Sequence, residues 1–209
     1  MTYGLVVVTP PAVEPVSLSE AKMHLRIDDL SPDTTPDNTL ISALITSSRR
    51  WCEAFQNRSY ITRTMALYLD CFPDDDYIEI PKPPLQYVTQ IRYLDSAGVE
   101  QTISFANPSG GYQLETDDYL VDITREPGRL YLKYGKSWPT TYGQAQDVVI
   151  TFVSGYGLAD SVPEEVKAAI RLKLSDLYEN RGDSERTHVT NTKEDAVKAL
   201  LWPERIVPV

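Results

Sequence analysis

The chain has 209 residues, 42% hydrophobic and 24% charged, which is typical of a globular protein with one sizeable domain or two small ones and excludes disorder of the whole chain. Thirty acidic residues against twenty basic ones give a formal charge of -10, which disfavours binding along a phosphate backbone because no excess of Lys and Arg exists to release counterions. Two cysteines, Cys52 and Cys71, are too few for a disulfide framework, so we expect reduced thiols.

The N-terminal sixteen residues are expected to be extended. Pro10, Pro11 and Pro15 each remove a backbone donor and bias the preceding residue towards β or polyproline geometry. The apolar run at residues 5–8 has no basic region before it and soon meets Pro10, which argues against a signal peptide and against a membrane span. We therefore expect a protein that folds in a cytoplasm and does not contact a membrane.

Two helices follow this extended segment. Ser17 and Glu20 have the S-x-x-E spacing of a capping box, which predicts a helix near residues 17–27. After a turn-rich loop, apolar residues at helical spacing predict a second helix near residues 37–58. Its buried stripe is expected to consist of Leu40, Ile41, Leu44, Ile45, Ser48, Trp51, Cys52 and Phe55. The polar residues of this helix, including Arg49 and Glu53, are expected to face away from that stripe.

Between residues 60 and 155 the pattern changes to alternation of apolar and polar residues. The alternating groups lie at residues 61–69, 78–80, 88–93, 120–123, 130–132 and 148–152. Turn residues such as Asn107-Pro108 and Pro127-Gly128 separate them. This spacing favours a small antiparallel sheet or sandwich over βαβ units.

The C-terminal part is predicted to return to helix. Ser161 and Glu164 suggest a second capping box, and a helix is expected near residues 162–181. A polar stretch leads to a short helical run from Glu194 to Leu201, which Pro203 stops.

These elements predict an α+β fold, in which a small α-helical bundle carries an inserted antiparallel β region. Residues 1–59 are expected to form an N-terminal extended arm and helices of the helical body, and residues 60–155 the β insertion. Residues 156–182 would add the C-terminal helix of the helical body, and residues 183–209 a polar linker, a short helix and a C-terminal tail.

The chain offers little with which to do chemistry. It has only two histidines, His24 and His188, and lacks the spacings of a nucleophilic triad or a common zinc site. Acidic clusters occur at Asp74-Asp75-Asp76, at Asp117-Asp118 and among residues 28–37, but none has the EF-hand pattern. They are expected to be solvated turn residues. We expect no catalytic residue, no metal site, no cofactor and no enzyme activity.

The C-terminal segment is apolar and interrupted by proline. Trp202, Ile206 and Val207 alternate with Pro203 and Pro208, which prevents the segment from extending a helix or a sheet. Such a segment either packs on its own domain or is delivered to a partner.

Several short motifs occur together in a characteristic order. They are PVSLSEAK-x-HLR at 15–26, DN-x-LI-x-x-LI at 37–45 with Cys52-Glu53, R-x-x-IT at 58–62, LD-x-FP at 69–73, IP-x-PPL-x-x-V at 80–88, PGRL at 127–130, WP at 138–139, F-x-x-GYG at 152–157, VP at 162–163 and LY-x-NR at 177–181. In this order they resemble the head-tail connector family of tailed bacteriophages, also called adaptor or head-completion proteins, over most of residues 15–181. The fold of that family is a helical bundle, with a β insertion in the longer members.

The resemblance implies a structural virion protein at the head-tail junction, assembled in the host cytoplasm. Copies would form a homo-oligomeric ring, expected to be dodecameric, beneath the portal protein, and would contact the next tail or stopper protein. DNA would pass through the lumen without sequence-specific binding, and an acidic ring would not adhere to it. The resemblance also favours delivery of the tail to a partner. We therefore predict that Trp202, Pro203, Arg205, Ile206 and Val207 dock on the portal.

Two other functions remain open from the residues alone. A tail or baseplate carbohydrate-binding module could use the β region and its tyrosines, since Tyr suits a contact surface as well as strand packing. An enzyme acting on glycans could use the acidic loop at Asp74, Asp75 and Asp76.

Overall fold

The computed structural model of the chain describes residues 3–27, 37–105, 116–180 and 190–207. The chain divides into two compact units. A β unit comprises Met1–Ala12 and Thr62–Tyr156, and a helical unit comprises Val13–Ile61 and Gly157–Val209. In the described residues, four helices and two antiparallel sheets make an α+β fold, which confirms the predicted fold class.

The strands of the β unit form two sheets within the described residues. Their bounds are Gly4–Thr9 (β1), Arg63–Leu69 (β2), Tyr77–Ile80 (β3), Leu85–Leu94 (β4), Glu100–Ser104 (β5), Tyr119–Asp122 (β6), Gly128–Leu132 (β7) and Val148–Ser154 (β8). The larger sheet has the order β1-β2-β8-β4-β5 and the smaller one the order β3-β7-β6. Every pairing between these strands is antiparallel.

The core of the β unit lies on the inward faces of these strands. Ile150 on the central strand β8 stands opposite Leu67 on one side and Ile91 on the other, and all three side chains are at most 1% exposed. Phe152 repeats the arrangement one pleat further along, opposite Met65. The alternation that predicted the strands is therefore the inward-facing set of side chains.

Two strands escaped the sequence analysis. β1 belongs to the stretch that was grouped with the helices as an extended arm, but it pairs with β2 from Gly4 opposite Tyr68 to Thr9 opposite Thr64. β5 has the sequence EQTIS, in which Ile103 is the only apolar residue, so its alternation is too weak to detect. Both are edge strands that depend on pairing with a neighbour. The partner of β1 is β2, which is remote in the chain. The partner of β5 is β4, whose apolar pattern is much stronger.

The helices lie close to their predicted positions. Their bounds are Leu18–Leu25 (α1), Asp37–Gln56 (α2), Glu164–Glu179 (α3) and Thr190–Leu201 (α4). The predicted capping box is confirmed, since Glu20 N donates to Ser17 Oγ at 3.2 Å and Ser17 N donates to Glu20 Oε2 at 2.7 Å. None of the helices in the described ranges is long and apolar enough to cross a membrane.

The second predicted capping box, at Ser161, is wrong. Ser161 ends a short 3-10 turn at Ala159–Ser161, and the N-cap of α3 is Pro163, which makes no side-chain capping bond. The residue before a proline is pushed out of helical geometry. Val162 accordingly has φ -77° and ψ 130°, and α3 starts only at Glu164.

The buried face of α2 also differs from the predicted stripe. Ile41, Ile45 and Cys52 are buried as expected, whereas Trp51 and Phe55 are only partly buried. Arg49 and Glu53, which were expected to face away, are 4% and 5% exposed. The reason is an ion triad, in which the buried guanidinium of Arg49 pairs with the carboxylates of Glu53 and Glu14.

The ion triad joins α2 to the segment before α1. Arg49 Nε lies 2.6 Å from Glu14 Oε2, and Arg49 Nη1 lies 2.9 Å from Glu53 Oε2. Burial alone would lower the pKa of Arg49, but the hydrogen bond and charge of Glu14 and those of Glu53 outweigh it and raise that pKa above its ordinary value. The guanidinium is therefore always charged in the folded protein.

Candidate partner-docking site

The C-terminal segment, residues 202–207, lies in the helical unit directly after α4. Trp202–Glu204 form a 3-10 turn that contains Pro203, and Arg205 continues in extended geometry with φ -73° and ψ 126°. Proline cannot continue the hydrogen bonding of α4, so the chain leaves the helix at this point. The turn places the segment beside the C-terminal end of α2.

Hydrogen bonds hold the backbone of this segment on the end of α2. The Gln56 side chain donates from Nε2 to the Leu201 carbonyl at 2.7 Å, and Ile206 N donates to the Gln56 carbonyl at 3.0 Å. Arg58 Nε donates to the Glu204 carbonyl at 2.5 Å. The last carbonyls of a helix have no partner within the helix, so Ile206 satisfies one of those of α2.

Gln56 is itself fixed from the other side. Tyr60 Oη donates to Gln56 Oε1 at 2.7 Å, and Tyr60 N donates to Glu53 Oε1 at 3.0 Å. Gln56 and Tyr60 are 1% and 0% exposed. Both ends of the Gln56 amide are thus used, which makes it the central link between α2 and the C-terminal segment.

The side chains of the segment pack on an aromatic row along α2. Trp51 and Phe55 stack with ring centroids 5.6 Å apart and an interplanar angle of 1°. Arg205 places its Cζ atom 4.7 Å from the centroid of Phe55 and 5.2 Å from that of Trp202, both within cation-π range. Lys173 on α3 reaches the ring of Trp51 with Nζ at 5.0 Å from the centroid.

The structure brings the predicted docking residues together but gives them two environments. Arg205 and Ile206 are partly buried against α2, whereas Trp202 and Val207 are each 61% exposed and Pro203 is exposed. The described part of the segment therefore packs on its own unit and still presents an apolar surface to solvent. Docking of these residues on the portal stays a prediction.

The sequence analysis missed Gln56, Arg58 and Tyr60, which hold the segment. One signal for Gln56 was available, because it lies four residues after Cys52 and continues the buried face of α2. A polar residue at such a position needs a buried hydrogen-bond partner. The identity of that partner, more than a hundred positions away along the chain, was not readable from the pattern.

The other residues singled out for chemistry do not form a site in the described part of the chain. His24 Nε2 lies 3.0 Å from Ser175 Oγ, and Asp118 pairs with Lys136 Nζ at 2.5 Å. Asp74, Asp75 and Asp76 are exposed. His188 and the acidic residues at 28, 29 and 33 lie outside the described residues. Across the described ranges, no group of three or more His, Cys, Asp or Glu side chains could hold a metal ion.

The two thiols have different environments. Cys52 lies within the helical unit, and burial raises its pKa to about 12 although Lys173 acts in the opposite direction. A thiol with that pKa is protonated at neutral pH and is a poor nucleophile. Cys71 is exposed, and neither residue forms a disulfide.

The fold is similar to that of chains in gene transfer agent (GTA) particles. One is a chain from the neck of the empty GTA particle computed with C6 symmetry, with a TM-score of 0.73 and 22% identity over 100% of this chain and 97% of that chain. A second is from the virion of the native gene transfer agent particle, with a TM-score of 0.71 and 23% identity over 98% and 96% of the two chains. A third, from the neck of the native GTA particle computed with C12 symmetry, has a TM-score of 0.69 and 22% identity over 100% and 97%.

No family model and no curated protein matches the chain. At 22% to 23% identity, the likeness to the solved structures shows the fold, which extends over both units of this chain and almost all of each compared chain.

Proposed function

We propose that this chain is a head-tail connector of a tailed phage-like particle. Copies of it form a ring under the portal vertex, join the capsid to the tail, and let DNA pass without sequence-specific contacts. The observation that carries the proposal is the likeness of the whole chain to chains from particle necks, over 100% of its length. The order of the motifs at residues 15–181 supports the same function independently, because it is a property of the sequence and does not depend on the likeness of the folds.

The symmetry of the compared particles supports a ring. Two of the neck structures were computed with C6 and C12 symmetry, and a dodecameric ring of this chain is compatible with both. A closed ring requires each copy to offer two different surfaces to its neighbours. With -10 formal charges on each copy, such a ring repels rather than binds DNA wherever its lumen shares that sign.

The C-terminal segment is the proposed portal contact. Trp202, Pro203 and Val207 would insert into the portal, while Arg205 and Ile206 hold the segment against α2 and limit the freedom it must lose on binding. This division follows from their exposure, since Trp202 and Val207 are each 61% exposed. Exposed tryptophans that become buried in an interface are among the strongest contributors to binding.

The test is sedimentation of the purified full chain with portal rings from the same particle at moderate salt. We expect co-sedimentation at a fixed stoichiometry. Trp202→Ala should weaken portal binding by about 30-fold or more, corresponding to about 2 kcal/mol. The free energy of unfolding should fall by less than that, by about 1 kcal/mol, because Trp202 is 61% exposed and its cation-π contact with Arg205 is lost. Leu158→Ala is the matched control, because Leu158 is an apolar side chain of the helical unit that is 69% exposed outside the segment.

Two results would contradict the proposal at different levels. A folded chain that does not bind portal rings contradicts the connector function. Full binding by a chain that lacks residues 202–209 contradicts only the role of the C-terminal segment, because the ring could still dock through another surface.

One observation favours the carbohydrate-binding alternative. Tyr134 is fully exposed and Tyr142 is 57% exposed, both between β7 and β8, and aromatic faces of this kind can stack on sugars. Glycan binding by the full chain that Tyr134→Ala abolishes would favour that function. A connector should bind no glycan, and the same variant should keep its affinity for portal rings.

A further inference from the structure

The five-stranded sheet has two edge strands, β1 and β5, which run in the same direction. In the described residues β1 pairs only with β2, and β5 only with β4. An edge strand leaves alternate backbone N–H and C=O groups without a strand partner. Because four antiparallel pairings separate β1 from β5, the two edge strands run in the same direction.

The β1 edge lacks the charges that normally protect an edge. Residues 3–13 contain no charged side chain, and the exposed fractions of Val6, Val7 and Val8 are 50%, 44% and 56%. A register shift between Val7 and Thr9, followed by Pro10, ends the regular pairing. Gly4–Val7 therefore remain as a regular, uncharged edge. Such an edge accepts a further strand unless charge or shape prevents it.

The β5 edge can accept an uncharged strand such as Gly4–Val7. Thr102 and Ser104 are exposed and uncharged, and Ile103 packs on the core of the β unit opposite Ile91. The charges of this edge stand at its start, where Glu100 Oε2 lies 3.7 Å from Arg92 Nη1. The remaining strand, from Gln101 to Ser104, matches the length of the regular part of β1.

We infer that β1 of one copy adds to β5 of the next copy as a parallel strand, so that the larger sheet continues from copy to copy. This inference rests on the proposed function, because rotation about a ring axis brings two different surfaces of the same chain together. Such a rotation also keeps strand direction, which agrees with the common direction of β1 and β5. Pairing of β1 with another β1 about a two-fold axis would instead be antiparallel and would close a dimer.

The side chains agree with this pairing. Residues that stand directly opposite one another on paired strands share a face of the sheet. Leu5 and Val7 stand opposite the core residues Leu67 and Met65, and Ile103 stands opposite the core residue Ile91. The three side chains therefore lie on the same face of the sheet. Adding β1 to β5 places Leu5 and Val7 beside Ile103, which covers apolar surface that is exposed at Val7.

The test is disulfide cross-linking between two differently labelled populations. Cys71→Ser removes the exposed thiol, and Cys52 is buried. Val6→Cys and Thr102→Cys are introduced into separate chains, at exposed positions on the opposite face of the sheet. The two populations are mixed, both in free solution and on portal rings, and oxidised gently. Covalent dimers are then separated without reductant. Adjacent strands bring paired cysteines within disulfide range.

The expected result is a covalent dimer in the mixture, at least tenfold above either variant alone, in solution or on the rings. Dimer from Val6→Cys alone at the same yield overturns the inference in favour of a two-fold pair, and absence of dimer in both settings also overturns it. Replacing Val6→Cys by Tyr134→Cys gives the control, since Tyr134 is exposed elsewhere in the β unit.

A second variant separates this inference from the proposed function. Val7→Lys places a charge on the β1 edge, and we expect it to abolish the mixed dimer with little change in the unfolding midpoint. Portal binding without the mixed dimer would leave the connector function intact and refute the strand pairing. A mixed dimer without portal binding would support the strand pairing and refute the connector function.

Discussion

Replacing Arg49 by methionine should strongly destabilise the helical unit. Arg49 is 4% exposed and makes close contacts to Glu14 Oε2 at 2.6 Å, Glu14 Oε1 at 3.1 Å and Glu53 Oε2 at 2.9 Å. Methionine fills much of the same volume but removes the guanidinium that pairs with Glu53, which is 5% exposed. Removing one partner of a buried ion pair costs about 3 to 5 kcal/mol, because the attraction that offsets burial of the other charge is lost.

The cost should depend on which partner is removed. Glu14 has 29% of its side chain exposed, so Glu14→Gln leaves Arg49 paired with Glu53 and costs only about 1 to 2 kcal/mol. In the Glu14→Gln/Arg49→Met double variant, the loss due to Arg49→Met should be smaller than in the wild-type background, because one of the two carboxylates that pair with Arg49 is already neutral. The difference is the coupling free energy of the pair.

Urea unfolding followed by far-UV circular dichroism measures these free energies. At a slope of about 2 kcal/mol per M of urea, Arg49→Met should lower the midpoint of the helical unit by about 2 M. Arg50→Met is the matched control, since Arg50 is the exposed neighbour on the same helix, and it should change stability by less than about 0.5 kcal/mol. A loss of less than about 1 kcal/mol for Arg49→Met would refute the reasoning.

Three further predictions test local features. Ser17→Ala should cost about 1 kcal/mol and let the lowered pKa of Glu20 rise towards its ordinary value, because hydrogen bonds from Ser17 are the largest causes of that lowering; NMR titration of Glu20 measures it, and an unchanged pKa would contradict the capping box. Gly128→Ala should cost about 1 to 3 kcal/mol in thermal unfolding, because its Cβ would lie 2.6 Å from Leu85 Cδ2, whereas Gly4→Ala, whose Cβ would lie 3.5 Å from Tyr68 Cβ, should be tolerated. A thiol reagent at neutral pH should modify Cys71 and spare Cys52 in the folded chain, because burial raises the pKa of Cys52 to about 12; modification of two thiols without denaturant would refute this. The same shift makes the stability depend on pH. Because the pKa of Cys52 is higher in the folded chain than in the unfolded chain, the contribution of this thiol to the free energy of unfolding is fully present below pH 9. That contribution falls as the pH rises from 9 towards 12, by at most about 1.4 kcal/mol per pH unit.

The sequence was informative where one local pattern determined the structure. The apolar period of α2 and the alternation of β2 and β8 each follow from side chains that face a core, so both were predictable. Ser161 was misleading because the restriction that Pro163 imposes on Val162 outweighs a favourable capping spacing. Local rules fail where two of them compete within a few residues.

Contacts between remote parts of the chain explain the other differences. Arg49 and Glu53 are polar and were placed on the solvent side of α2, but Glu14, more than thirty positions earlier in the chain, makes their burial possible. The clamp that Gln56 forms on the C-terminal segment likewise spans 145 positions. The five predicted docking residues were chosen from the apolar, proline-interrupted segment together with the family resemblance, and their docking stays a prediction. The residues that hold the segment in place were not predicted.

The helical unit is built from two separate parts of the chain, Val13–Ile61 and Gly157–Val209. Its buried residues include Ile41 from the first third of the chain and Val197 and Leu201 from the last, each 0% exposed. The β unit, by contrast, is complete once Tyr156 has been synthesised. During translation the β unit can fold first, whereas the core of the helical unit can form only after α3, α4 and the C-terminal segment have been synthesised. A chain terminated after Tyr156 would therefore lack both the second half of its helical core and the proposed portal contact.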